Sequence, residues 1–369
     1  MNSTSETNIY SPSLRGRVGE SPQIAVIILN WNGVAHGLLR RYLPSVVEHT
    51  PAELGEVIVA DNGSTDESLQ VLREEFPTVR VIALEQNFGF AEGYNRAIAQ
   101  VAQPYVVLLN DDVAVTPHWL EPIVGYLDAH PGTLAAQPKL MSDRDHRLFE
   151  YAGACGGYLD RMGYPYCRGR IFQTLEADDG QYDTVCSLDW ATGAALFVRR
   201  EAYIKAGGLD GNFFAHMEEI DLCWRLRRMG GDIVCVPQST VYHLGGASLS
   251  AENPRKTLLN FRNSLLMLHK NLPRERRRPM IFWRMVLDGL AALNFIAHGQ
   301  FRHAHAIGHA HRQARRMIRE LYPDEALAND AEKRGFHDAP NQPISILWQY
   351  YVKGKKRFSE IVPQRDCNL

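Results

Sequence analysis

The sequence predicts an α/β protein: a mostly parallel central sheet flanked by helices, followed by a helical C-terminal region. Three observations carry this. Short β-rich apolar runs alternate with helical segments from residue 24 onward, the rhythm of βαβ units. The polar residues gather at the C-terminal ends of those runs. After residue 254 the chain turns helical and basic for most of its length.

The elements follow in order. "IAVIILN" (24–30) is continuous and apolar, as a strand buried on both faces requires. A helical segment is expected over 34–48. "EVIVAD" (56–61) reads as the second strand, and a helix starts near Asp66, where Ser64-Thr65-Asp66 forms a natural N-cap region. "VRVIALE" (79–85), a helix over "AEGYNRAIAQVA" and "YVVLLND" (105–111) continue the pattern. Later, "AALFVRR" (194–200) and "DIVCVPQSTVYHL" (232–244) read as strands. Between them, "MEEIDLCWRLRRMGG" reads as a helix closed by Gly230-Gly231. On that helix Asp221 and Arg225 are spaced to pair, and Ile220, Leu222, Trp224 and Leu226 to face the core.

Composition narrows the classes. A chain of 369 residues, 45% hydrophobic, has ample length for a core. Its net charge of −2 offers no basic field for nucleic acid. The six cysteines form no CxxC pair and read as reduced thiols of a cytoplasmic protein. Residues 1–22 are polar, lack the apolar core of a secretory signal, and are expected to be a disordered leader. The most apolar stretch, from Met280, contains Arg284 and Asp288 and is not expected to span a bilayer. Neither G-x-G-x-x-G nor G-x-x-x-x-G-K-[ST] occurs, so the dinucleotide and P-loop readings gain nothing.

Adjacent carboxylates in "LNDDVAV" (109–115) repel each other unless something positive is expected between or beside them. The ordered set "VIILNWNG", "VIVADNGSTDES", "NFGFAEGYNRAI", "VVLLNDDVAV", "DWATGAALFVRREAYIKAGGLD", "FFAHMEEIDLCWRLRRMGG" and "VYHLGGAS" supplies the context. Over about residues 23–250 the chain resembles the inverting glycosyltransferases of family 2, with the GT-A fold. Within them it is most similar to the rhamnosyltransferase and galactofuranosyltransferase-like branch. The resemblance divides the chain into a nucleotide-sugar-binding half (23–135), an acceptor-binding and catalytic half (136–252) and a helical region (253–369).

The resemblance also implies roles. A hard divalent cation, Mg2+ or Mn2+, would neutralise the diphosphate leaving group. Asp112 stands where the family's acidic motif places its metal ligand, although the motif's first acid is here Asn110. His243 matches a histidine that completes the metal shell, and Asp111 is left for the ribose. The second acid of the "MEEID" motif, Glu219, is the expected base for the acceptor hydroxyl, with Glu218 as the neighbouring candidate. A helix N-terminus would also attract both glutamates without any catalysis. Asn30 and Asn32 fall in the segment that holds the base, and Asp61 where an aspartate contacts the pyrimidine or ribose. Asn87, Gly89, Gly93 and Asn95 would approach the donor, the glycines by close backbone contact. Trp190, Thr192 and Gly193 flank the expected acceptor pocket.

The resulting expectation is a metal-dependent hexosyltransferase of polysaccharide or cell-envelope synthesis. It would move a sugar, with rhamnose from dTDP-rhamnose as the guess, to a glycan or lipid-linked glycan. Two other readings are a sugar-phosphate nucleotidyltransferase and an inactive carbohydrate-binding protein. The first would need a basic glycine-rich loop, and "NWNGVAHG" has no Lys or Arg. The basic and apolar C-terminal helices suggest peripheral contact with the inner face of the cell membrane, packing on the catalytic domain, or a homodimer contact. His305 and His309 share a helix face there and read as a solvated polar face.

Overall fold

The structure, a computed structural model, describes residues 22–245, 253–334 and 343–362. Residues 1–21 of the expected leader, and Cys367, lie outside the described residues. The other cysteines are buried and form no disulfide among the described residues.

The first half alternates as expected: β1 (Ile24–Asn30), α1 (Leu39–Glu48), β2 (Gly55–Asp61), α2 (Ser68–Glu75), β3 (Arg80–Ala83), α3 (Gly89–Ile98) and β4 (Tyr105–Asn110). These strands run parallel, with β1 between β2 and β4. The spatial order β3-β2-β1-β4 reverses its winding between β1 and β4. Such a reversal opens a crevice beyond the strand C-termini, where ligands of open α/β sheets bind. Ala25 and Ile27 of β1 enter one hydrophobic core while Ile24, Val26 and Ile28 enter the other. Both faces of the strand are thus buried, which is why its sequence does not alternate with polar residues.

Helix boundaries shift where side chains capture the backbone. The helix expected from residue 34 begins at Leu39. Before it, Val34 N donates to Ser68 Oγ at 3.3 Å and Ala35 N to Asp66 Oδ2 at 2.8 Å, so the preceding residues turn instead. Asp66 also accepts from Ser68 N at 2.9 Å, at the start of α2.

The second half completes the same sheet. After β5 (Val113–Val115), α4 (Glu121–Ala129) and β6 (Thr133–Ser142) comes a small antiparallel sheet that the sequence did not announce. It consists of β7 (Gly157–Leu159), β8 (Pro165–Cys167), β9 (Arg170–Ile171) and β10 (Thr174–Leu175). Then follow β11 (Cys186–Ser187), β12 (Ala195–Arg199), α5 (Arg200–Ala206), α6 (Glu218–Arg228) and β13 (Asp232–His243). Strand β12 lies antiparallel between β4 and β6 and joins the two halves. Strand β13 runs parallel to β6, and its C-terminal end pairs antiparallel with β5.

The C-terminal region is α7 (Pro254–Asn271), α8 (Arg274–Ala297), α9 (Phe301–Leu321), α10 (Asp324–Arg334) and α11 (Phe358–Ile361). A buried polar network ties α7 to α6. Asp221 pairs with Arg225 at 2.8 Å as its spacing predicts. It also accepts from Lys270 Nζ and from Asn271 Nδ2, each at 2.8 Å. With every charge partnered, the fully buried Asp221 fixes the helix against its neighbour. Ile220, Leu222, Trp224 and Leu226 complete the buried face of α6.

Candidate active site

A cleft of about 980 Å³ opens at the C-terminal edge of the sheet. Of the residues singled out in the sequence, it is lined by Asn87, Gly89, Asp111, Asp112, Thr192, Gly193, Glu218, Glu219 and His243. Its size suits a nucleotide sugar.

The carboxylates come from the turn between β4 and β5. Pairing of β5 with β13 sets His243 opposite Val113, and so brings the imidazole beside Asp112. His243 Nε2 lies 3.0 Å from Asp112 Oδ1. On the far side of the ring, Nδ1 faces Glu150 Oε1 at 3.3 Å. All three groups are buried. Burial alone would lower the His243 pKa, but the Asp112 and Glu150 charges outweigh it and hold the imidazole well above its ordinary value. Burial pushes the Asp112 carboxyl up, and the facing His243 brings it below the usual range. Burial and then the charge of Asp112 push Asp111 up to about 8. The two adjacent aspartates are therefore inequivalent, and Asp112 carries the negative charge.

Across the cleft, α6 starts from a strained loop. Phe214, His216 and Met217 have φ of 66°, 70° and 74°, in the left-handed region that non-glycine residues rarely enter. Asn263 of α7 holds this loop. Its Nδ2 donates to Phe213 O, Ala215 O and His216 O at 3.1, 2.9 and 2.7 Å. Glu218 and Glu219 follow immediately. Each has a buried Oε2 with no hydrogen-bond partner among the described residues. Burial raises Glu219 to about 7, against the backbone N–H groups of the helix start that favour its charge. Burial and then the Glu219 charge raise Glu218 well above the ordinary range. Gly193 keeps the space beside Glu219 open, because a Cβ there would lie 3.2 Å from the Phe90 ring.

Other predicted residues lie elsewhere. Asn30, Asn32 and Asp61 do not line the cleft. They knit the β1 and β2 loops together: Asn30 Nδ2 donates to Asp61 Oδ1 at 2.8 Å, Ser64 Oγ to the same oxygen at 2.6 Å, and Thr65 N to Asn32 Oδ1 at 2.8 Å. Asn95 is turned away, bound to Leu209 O at 2.8 Å and Tyr203 Oη at 2.6 Å. Trp190 is buried behind the cleft, packed on Gly157, with its indole N–H donated to Tyr158 O at 3.1 Å. Its ring is thus unavailable for stacking on a sugar.

The cleft also holds Trp31, from the segment expected to hold the base, Asn62, from the polar strand ends, and four residues the sequence reading passed over: Arg144, Glu150, Arg255 and Lys256. Asn62 closes one side of the cleft by accepting from Phe88 N at 3.0 Å and donating to Gly89 O at 3.1 Å. Its place beside Asp61 at the end of β2 was a usable signal. Glu150 and the three cations carry no local pattern that sets them apart.

Among the described residues, no three His, Cys, Asp or Glu side chains are gathered to hold a metal unaided. The Asp112–His243 pair nevertheless fits part of a shell. Two neighbouring ligands on an octahedral ion with bonds of about 2.1 Å stand about 3.0 Å apart, the separation of Asp112 Oδ1 and His243 Nε2 (3.0 Å).

Residues 25–154 match the model of the family described as "Glycosyl transferase family 2". The chain is 29% identical over 221 residues to N-acetylglucosaminyl-diphospho-decaprenol L-rhamnosyltransferase of Mycobacterium tuberculosis, covering 56% of this chain and 71% of that protein. It is 24% identical over 163 residues to rhamnosyltransferase WbbL of Escherichia coli K12, covering 42% of this chain and 61% of that protein. Among solved structures, GalNAc-T7 with UDP, GalNAc and Mn2+ superposes with a TM-score of 0.58 at 14% identity, over 94% of this chain and 60% of GalNAc-T7. That likeness shows the fold, which is GT-A.

Proposed function

We propose, from the family 2 match over residues 25–154 and the likeness to bacterial rhamnosyltransferases, that the chain is a glycosyltransferase that transfers a sugar with inversion. The donor is a nucleoside diphosphate sugar, with dTDP-rhamnose as our choice. The acceptor is a glycan, free or lipid-linked, and a lipid-linked one would bring the enzyme to the cytoplasmic face of a membrane. One observation carries the mechanism: Glu219 lines the same cleft as the Asp112–His243 pair, with a buried oxygen left without a hydrogen-bond partner among the described residues.

Glu219 is the base. A carboxylate poised at about 7 balances deprotonation at neutral pH against proton affinity. Glu218 is pushed higher by burial and by its neighbour, so it stays protonated and the pair carries one charge. The Glu219 carboxylate removes the acceptor O–H proton as that oxygen bonds to the anomeric carbon. The bond from that carbon to the phosphate oxygen breaks, and the nucleoside diphosphate leaves with the electron pair. Asp112 would hold Mg2+ or Mn2+, joined by His243 on loss of its Nε2 proton, and the ion would neutralise charge on the diphosphate. Arg144, Arg255 and Lys256 line the same cleft and add positive charge toward that group. Asn62, Asn87 and Gly89 shape the donor side, and Thr192 and Gly193 leave room for the acceptor.

The test incubates the purified chain with a panel of sugar nucleotides, with and without Mg2+ or Mn2+, and measures nucleoside diphosphate release. Metal-dependent release that Glu219→Gln lowers at least about a hundredfold, with donor affinity kept, is the expected result. Activity that survives Glu219→Gln but is lost in Glu218→Gln would move the base by one residue. Pyrophosphate release from a nucleoside triphosphate would replace transfer by nucleotidyl chemistry.

A further inference from the structure

Beyond its basic start, helix α8 keeps its charge inside and its apolar side chains outside. Its charged side chains Arg284 and Asp288, one turn apart, are buried against the body. Arg284 Nη1 donates to Met162 O at 2.8 Å, and its guanidinium lies 3.7 Å from the Tyr164 ring centroid. Asp288 Oδ2 pairs with His311 Nε2 of α9 at 3.0 Å. The opposite face is apolar and open to solvent: Phe282 is 59% exposed, Trp283 57%, Leu290 58% and Leu293 62%, and Val286 and Ile296 are exposed as well. The three- and four-residue steps from Trp283 through Val286 and Leu290 to Leu293 make one stripe. Phe301, at 65%, extends it to the start of α9. A water-facing helix is arranged the other way round, and an apolar surface of this extent marks an interaction site.

The charges around the stripe select the partner. Residues 274–320 carry ten arginines against three acids, Glu275, the buried Asp288 and Glu320. Arg276 and Arg278 at one end of the stripe, and Arg302 at the other, are exposed and make no ion pair among the described residues. A second copy of the chain would bring the same excess of arginines to meet them. An anionic lipid surface supplies both a negative head-group layer and an apolar layer beneath it. The helix is long and apolar enough to cross a bilayer. Its inward contacts through Arg284 and Asp288 hold it along the protein instead, in the geometry of an interfacial helix. We propose that the outer face of α8 seats this chain on an anionic membrane surface. The helix lies in the plane of the interface, Phe282, Trp283, Leu290 and Leu293 enter the acyl boundary, and the flanking arginines meet the head groups. This surface is independent of the chemistry assigned to the cleft.

The experiment is vesicle flotation of the full chain, with phosphatidylcholine vesicles and with vesicles containing phosphatidylglycerol, at 0.1 M and 0.5 M salt. Its readout needs no glycosyl transfer, so it stands or falls separately from the proposed activity. The wild type floats with the anionic vesicles, and raising the salt weakens the partition about tenfold. A triple variant, Trp283→Ser with Leu290→Ser and Leu293→Ser, partitions at least about a hundredfold less, with unchanged circular dichroism. Arg276→Glu with Arg278→Glu removes the preference for anionic over neutral vesicles. Wild-type protein that stays out of anionic vesicles overturns the proposal. So does a wild-type dimer that the triple variant turns into a monomer without any change in flotation, which would make the stripe a contact between copies.

Discussion

Glu219→Gln should change activity and stability in opposite directions. Burial lifts the Glu219 pKa from 4.5 to about 7 in the folded protein. Its folded value therefore exceeds its unfolded one. Between about pH 4.5 and pH 7 the native state holds more protons than the unfolded state, so stability falls as pH rises through that window. A shift of this size is worth at most about 3 kcal/mol, an upper bound because Glu219 is only partly buried and water screens it. Glutamine keeps the shape and carries no charge, so the loss is absent in the variant. Unfolding entropy scales with length, and for a chain of 369 residues 1 kcal/mol moves Tm by about 1.3 °C. Calorimetry from pH 4.5 to 8.5 should find the two proteins nearly equal at the acid end. The variant should gain up to about 4 °C by pH 8, with turnover at least about a hundredfold lower throughout. A Tm difference that does not change with pH, or a variant less stable at pH 8, would refute the claim that Glu219 is a desolvated carboxylate. Wild-type kcat/KM should rise with pH, pass its midpoint near pH 7 and level off above about pH 8, as the base loses its proton.

Three other perturbations probe the rest of the site. Asp112→Asn should weaken Mn2+ binding by isothermal titration at least about tenfold in the presence of nucleoside diphosphate; unchanged affinity removes Asp112 from the metal site. Asn263→Ala removes the shared donor of three loop carbonyls, of which Phe213 O keeps Arg262 Nη2 at 2.8 Å, at about 1–3 kcal/mol. It should also release the loop before α6, so turnover falls while the glutamates stay intact; unaltered Tm and kcat would show the clamp to be idle. Gly89→Ala places a Cβ 2.7 Å from the Phe214 ring at a φ of +79°. It should lower donor affinity and cost about 1–3 kcal/mol, read by donor titration and thermal unfolding.

The strands and helices of the first half were legible because their signals are local. A run such as "IAVIILN" is apolar at every position, so the strand it forms must be buried on both faces whatever surrounds it. Polar residues at successive strand ends mark the ligand edge of a parallel sheet for the same reason. The small sheet of β7 to β10 was not legible, since strands of two or three residues leave no periodic trace. Asp221 and Arg225 were read correctly as partners because a helix fixes their spacing. Their further bonds to Lys270 and Asn271 were not, because α7 arrives from distant sequence.

What the sequence determined alone was the order of elements, the edge of the sheet where the cleft opens, and the residue types assembled there. The facing of each side chain was decided only in three dimensions. Asn30 and Asp61 stand at strand ends like Asp112, yet they spend their polar groups on each other, because β1 and β2 are neighbours in register. Asp112 meets His243 because β13 pairs with β5, and no local pattern encodes that register. Which of two adjacent glutamates remains charged depends on how each is desolvated. That is a property of the packed cleft, and it has no counterpart in an unfolded chain.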